Sequence, residues 1–243
     1  MRKAAERAAR GRPARGVRRP VTAVLIKTTA RRLMAEGGTA GLSLRAVARR
    51  LEVTAPAIYN YFHRLEDLIT ALVVDAFTSL ALAMEATEGE HAPGDVRERL
   101  CALCATYRTW SLAHPVDVEL ISGRPFPGYR PPDELCLPLG RRPFLGIFRC
   151  FIEAHRCGRL VIPEEYRALP PAMASGIRAW RRQSGIEMPD GLVALLVDGW
   201  ARIHGMVLLE LHGHTRPLLG DPAAFYRLEI EAFADWMGMK KKR

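Results

Sequence analysis

The sequence is short of cysteine, of aromatic residues, of long apolar runs and, near its start, of acids. Its five cysteines, Cys101, Cys104, Cys136, Cys150 and Cys157, are an odd set in 243 residues, which fits reduced thiols and argues against a disulfide framework. No unbroken apolar stretch reaches the ~18 residues of a spanning helix, and the opening MRKAAERAARGRPARGVRRP lacks the apolar block of a secretory signal. A cytoplasmic protein without a membrane partner is therefore expected. No strand-like alternation or internal repeat stands out. There is no nucleophile elbow, phosphate-binding glycine loop or zinc-protease signature, so neither catalysis nor a cofactor or metal is expected.

What is present is charge, and it is one-sided. The net charge is +10, and residues 1–70 hold 15 Lys/Arg against 5 Asp/Glu, while the remainder balances. Such a concentrated positive field suits a polyanion, because each phosphate contact releases condensed counterions. A solvated basic tail is the plain alternative for residues 1–19.

Periodicity converts the middle of this region into helices. Ile26, Thr29, Ala30, Leu33 and Gly37 recur at three- and four-residue spacing, which predicts a first helix ending at Gly37-Gly38. Ser43 is a good N-cap for a second helix with Leu44, Val47, Ala48 and Leu51 inside and Arg45, Arg49 and Arg50 outside. Thr54 can cap a third, with Pro56 in the first turn, Ile58 and Phe62 inward, and Ala55, Pro56, Ala57, Tyr59, Asn60 and His63 outward. Helices this short are marginal alone and must be braced by neighbours. Two of them across a three-residue turn make a helix-turn-helix over 43–62, with the third helix free to enter a major groove. Small residues at its tip allow close approach to base edges, Asn60 can bond a base, and Tyr59 and Tyr61 offer hydroxyls to phosphates.

Residues 20–70, above all AVARRLEVTAPAIYNYFHRLEDLI, resemble the DNA-binding domain of the TetR family of transcriptional regulators. The resemblance implies base contacts by Arg45, Ala55, Pro56, Ala57 and Asn60, and phosphate contacts by Thr54, Tyr59 and Tyr61. Glu52 stands where the family usually has glycine, which implies a strained left-handed turn. Leu65 stands where it usually has lysine, and Arg64 or His63 would supply the missing phosphate contact. Arg10-Gly11-Arg12-Pro13 is similar to an AT-hook core, in which Arg10 and Arg12 would lie in an A·T-rich minor groove.

Beyond Glu66 the chain reads as all helix. A long fourth helix is followed by helices at Asp95–Ala113, Arg142–Cys157, Glu164–Ser184, Pro189–Leu211 and Asp221–Met237. The Pro/Gly-rich ISGRPFPGYRPPDELCLPLG is expected to be a loop. The expected organisation is all-α: a basic arm at 1–19, a three-helix DNA-binding domain at 20–80, and a helical bundle at 81–243. WARIHGMVLLELHG (200–213) is similar to a TetR subgroup named for its Trp-His-Gly motif. This resemblance implies a homodimer paired through 190–211 and 221–237, a palindromic double-stranded operator, repression, and a small-molecule effector. Tyr107, Trp110, Trp200 and His204 are the candidate effector contacts, each equally a plausible core residue. The alternatives are a low-specificity architectural DNA binder using the arm, and a thiol or metal sensor at Cys101-x-x-Cys104. His212-x-His214, at a helix end, is a weaker candidate metal pair.

Overall fold

The computed structural model describes residues 21–92, 94–123, 126 and 128–240. The arm residues Arg10 and Arg12 lie outside them. The chain divides into two compact units, one up to Leu68 and the other from Ile69. Among the described residues every regular element is a helix.

In the first unit α1 spans Ala23–Gly37, α2 Leu44–Arg50 and α3 Ala55–Tyr59. Thr22 caps α1 by accepting from Leu25 N at 3.1 Å, and Ser43 caps α2 by accepting from Ala46 N at 3.0 Å. These bonds satisfy amides that the first helical turn leaves without partners. Ile26, Thr29 and Ala30 are buried as the spacing predicts, but Met34 rather than Leu33 completes the stripe, and Gly37 is exposed. Val47 and Ala48 of α2, Ile58 of α3 and Phe62 just beyond α3 are buried.

Helix α4, Leu65–Gly89, leaves this unit and enters the second, where α5 (Val96–Ala113), α6 (Pro115–Ser122), α7 (Asp133–Arg141), α8 (Leu145–Arg156), α9 (Pro171–Ser184), α10 (Asp190–Leu211), α11 (Arg216–Leu219) and α12 (Pro222–Trp236) follow. Helix α5 is the centre of the bundle, packed against α8, α10 and α12. Leu103 of α5 and, around it, Leu192, Leu195, Val207 and Met237 are fully buried. Each such aliphatic side chain removed from water contributes about 1.5–3 kcal/mol.

Two expectations need correction, on the loop and on the helix at Glu164–Ser184, and one helix, α6, goes beyond them. The segment expected to be a loop contains α7, which tolerates Pro138 within it at the loss of one intrahelical bond. Pro115 both stops α5 and opens α6 as its first residue, where a missing amide proton costs nothing. The single helix expected over Glu164–Ser184 is a 3₁₀ turn at Glu164–Tyr166 followed by α9, because Pro170-Pro171 divides it. Helices α4 and α10 are also long and apolar enough, with mean hydropathies of 1.7 and 1.6, to span a membrane by length and composition. Scanning for unbroken runs misses them because isolated charges interrupt both. Core helices of soluble proteins pass the same test, and nearly half of each apolar window is buried inside the protein.

Candidate nucleic-acid interface and ligand cavity

The turn between α2 and α3 closes by a Schellman arrangement. Glu52 N donates to Arg49 O at 3.1 Å and Val53 N to Ala48 O at 3.0 Å, and between these bonds Glu52 adopts a left-handed φ of 55°. The expected strain is therefore present, and Glu52 is the single non-glycine residue with positive φ among those described. Glu36 of α1 grips Arg50 of α2 through two bonds of 2.9 and 2.5 Å, which fixes the base of the head and holds the Glu36 carboxyl below the usual carboxylate range.

What the brace leaves outside is the candidate surface. Arg45, Thr54, Pro56, Tyr59, Asn60, Tyr61, His63 and Arg64 are exposed, while Ala55 and Ala57 are half-buried at the tip of α3. The side chains of Arg45, Tyr59 and Asn60 form no hydrogen bond or ion pair with the described residues. Thr54 does not cap α3 through its hydroxyl, which stays available to an outside acceptor or donor. Tyr61 differs from Tyr59. Its hydroxyl donates to Val21 O at 2.6 Å, tying the end of α3 back to the start of α1, so its single proton is already used. Arg64 N donates to Asp67 Oδ2 at 2.9 Å, and its guanidinium stands 3.7 Å from the same carboxylate.

The second unit holds a partly open cavity of about 440 Å³ between α5, α7, α8, α9, α10 and α12. Of the four candidate effector contacts, Trp200 borders it. Tyr107 and His204 instead bind each other, hydroxyl to Nδ1 at 2.6 Å. Burial pushes the Tyr107 hydroxyl up to about 12 and holds the His204 imidazole below its ordinary value, so both are neutral. Trp110 is buried, with its indole N–H donating to Ser79 Oγ at 3.1 Å. Sequence reasoning missed most of the wall, including Phe144, Phe148, Trp180 and Phe233. Their spacing over α8, α9, α12 and the 3₁₀ turn Arg142–Phe144 carries no linear signal. Cys104 is buried and its thiol is pushed well above the ordinary range by burial, the reverse of a reactive thiolate. His212 and His214 are exposed, and His212 stands 3.8 Å from Glu119.

A family profile described as bacterial regulatory proteins, tetR family, matches residues 26–72, and one described as tetracyclin repressor-like, C-terminal domain, matches residues 100–233. The chain belongs to the TetR family. It is similar to the HTH-type transcriptional regulators Rv1816 of Mycobacterium tuberculosis and Mb1846 of Mycobacterium bovis, each 27% identical over 213 residues that cover 87% of this chain and 90% of the relative. Among solved structures it resembles the regulatory protein SCO4313, with a TM-score of 0.70, 27% identity, and coverage of 87% of this chain and 94% of that one. A protein of unknown function from Rhodococcus sp. RHA1 shares the fold at a TM-score of 0.66 and 22% identity, covering 94% of this chain and all of that one.

This TetR-family chain is thus a DNA-binding transcriptional regulator with a helix-turn-helix head and a helical C-terminal domain. The first profile begins at Ile26, the first buried residue of α1, and runs through the exposed α3 surface into α4. The second contains the whole cavity wall.

Proposed function

We propose that the protein is a homodimeric repressor that grips a palindromic operator through two copies of α3 and is released by a small molecule held in its C-terminal cavity. The observation that carries the reading is the unpartnered set Arg45, Tyr59 and Asn60 on a head in which the neighbouring Arg50 is tied to Glu36. In this reading Arg45, Ala55, Pro56, Ala57 and Asn60 face bases. Thr54, Tyr59 and Arg64 face phosphates, and Tyr61 joins them when its bond to Val21 opens. Residues 20–80 form the DNA-binding domain and 81–243 the ligand and dimer domain. The arm at 1–19 adds electrostatic affinity, with Arg10 and Arg12 in the minor groove.

Dimerisation is supported by exposed apolar side chains where a soluble chain gains by covering them: Val197, Trp200 and Leu209 on α10, and Leu228 and Trp236 on α12. Two such helices from each copy make a four-helix interface. A single head covers too few base pairs for specific affinity, and a two-fold dimer reads two half-sites about one helical turn apart. The Trp200, His204 and Gly205 pattern supports membership of the Trp-His-Gly subgroup. Its aromatic members lie tilted against each other with ring centroids 5.9 Å apart, and His204 is hydrogen-bonded to Tyr107.

Selection of bound duplexes from random DNA, followed by mass measurement of the complex, tests this. A palindromic motif with two chains per duplex supports it, and an enriched pool without symmetry or a single bound chain refutes it.

A further inference from the structure

We propose that the C-terminal cavity takes a hydrophobic carboxylic acid, its apolar body among the aromatic rings and its carboxylate against Arg141. The proposal rests on the ligand-responsive reading above and gives that ligand a chemical class. The cavity, at about 440 Å³, is within the range of small-molecule sites. Its wall is dominated by apolar and aromatic side chains, among them Phe144, Phe148, Trp180 and Phe233, so the body of a ligand must be apolar to replace water there.

Arg141 is the charged residue in that wall. It closes the last turn of α7, is half-buried, and makes one long hydrogen bond, from Nη1 to Ser184 O at 3.4 Å. Its neighbours are differently placed: Arg142 is bound by Glu85 at 2.7 Å and Arg181 by Asp190 at 2.7 Å. No carboxylate of the described residues lies within ion-pair reach of Arg141. A guanidinium presents five donors in a planar fork that matches a carboxylate, and here the bond to Ser184 O uses one of them. A neutral ligand would leave the cation desolvated without compensation, and a cationic one would be repelled. A single acid group satisfies it by charge-assisted bonds. The other heteroatom of the wall with acid–base chemistry, the Cys104 thiol, is kept neutral by burial and adds no second charge.

Gly176 provides an independent handle. It borders the cavity from α9, is exposed, and a Cβ built on it meets nothing within 4 Å, so a larger side chain can be added at this border without a clash and obstruct access to the cavity.

The test is calorimetric titration of the full-length protein with dodecanoic acid and 1-naphthaleneacetic acid, each against its neutral alcohol. Wild type, Arg141→Gln, Arg141→Lys and Gly176→Leu are compared after a check of helical content. The proposal expects at least one acid to bind about tenfold or more tighter than its alcohol. That advantage should vanish in Arg141→Gln and return in part in Arg141→Lys, and Gly176→Leu should lose both acid and alcohol. Equal binding of acids and alcohols, an acid preference that survives Arg141→Gln, or no binding of either acid overturns it. A parallel assay of the selected operator complex separates the two readings: acid binding through Arg141 with no release of DNA upholds this inference and removes effector-controlled repression.

Discussion

At the scale of single residues, Glu52 carries a conformational cost that the rest of the head supports. A side chain in the left-handed region costs about 1–2 kcal/mol, part of which glycine would return as greater freedom of the unfolded chain. Glu52→Gly is expected to raise the stability of the head by up to about 1 kcal/mol, read as a higher thermal midpoint, and an unchanged or lower midpoint would contradict the strain. The exposed surface separates by chemistry. Asn60→Ala should relax base preference by about 1–3 kcal/mol at one position, whereas Tyr59→Phe should weaken binding evenly across sequences, both measured by competition against operator variants. Tyr61→Phe should mainly lower stability by about 1 kcal/mol, because its hydroxyl donates to Val21 O. His204 supplies a pH signature. Its imidazole is held below its ordinary value by burial, so as pH falls through about 6.5 the unfolded chain takes up a proton that the folded one resists. Stability should therefore fall with pH from about 7 downward, and His204→Gln should remove that part of the slope in thermal melts at fixed ionic strength.

At the scale of elements, packing around glycine sets where helices approach. A Cβ on Gly191 of α10 would stand 2.3 Å from the carbonyl oxygen of Tyr166, and backbone cannot move aside as a flexible side chain can. Gly191→Ala should therefore destabilise the C-terminal unit by about 1–3 kcal/mol or more, seen in denaturant unfolding, while Gly176→Ala on open α9 should be neutral or stabilising. These elements were unequally legible in the sequence. The head was readable because each of its signals is local: Ser43 caps α2 from one residue before it, Ile58 and Phe62 face inward four residues apart, and Glu52 occupies a turn position that favours glycine. Helices α6 and α7 were hidden because Pro115 and Pro138 are helix breakers in a linear reading and are tolerated by position and length. The cavity was hidden for a different reason. Its wall is assembled from helices distant in sequence, so Tyr107 and Trp110, which looked available, are satisfied by His204 and Ser79, and Arg141 falls between the loop expected to end at Gly140 and the helix expected from Arg142.

At the scale of the whole molecule, the account requires two copies acting on one duplex. Replacing Leu209 by Glu on the exposed face of α10 should place a charge in the proposed dimer interface without disturbing the bundle core, because that side chain is half-exposed in the single chain. Sedimentation should then report a monomer, with operator affinity reduced at least about a hundredfold. A Leu209→Glu protein that remains dimeric would move the interface elsewhere. The basic excess over residues 1–70 contributes affinity for any duplex, so raw binding to DNA does not distinguish a sequence-reading regulator from an electrostatic one. The specificity ratio does. The decisive measurement is the equilibrium affinity of the full-length protein for its selected palindrome against a shuffled duplex of equal length at physiological salt. The account predicts a preference of about a thousandfold or more that falls sharply in Asn60→Ala; equal affinity for the two duplexes would contradict it.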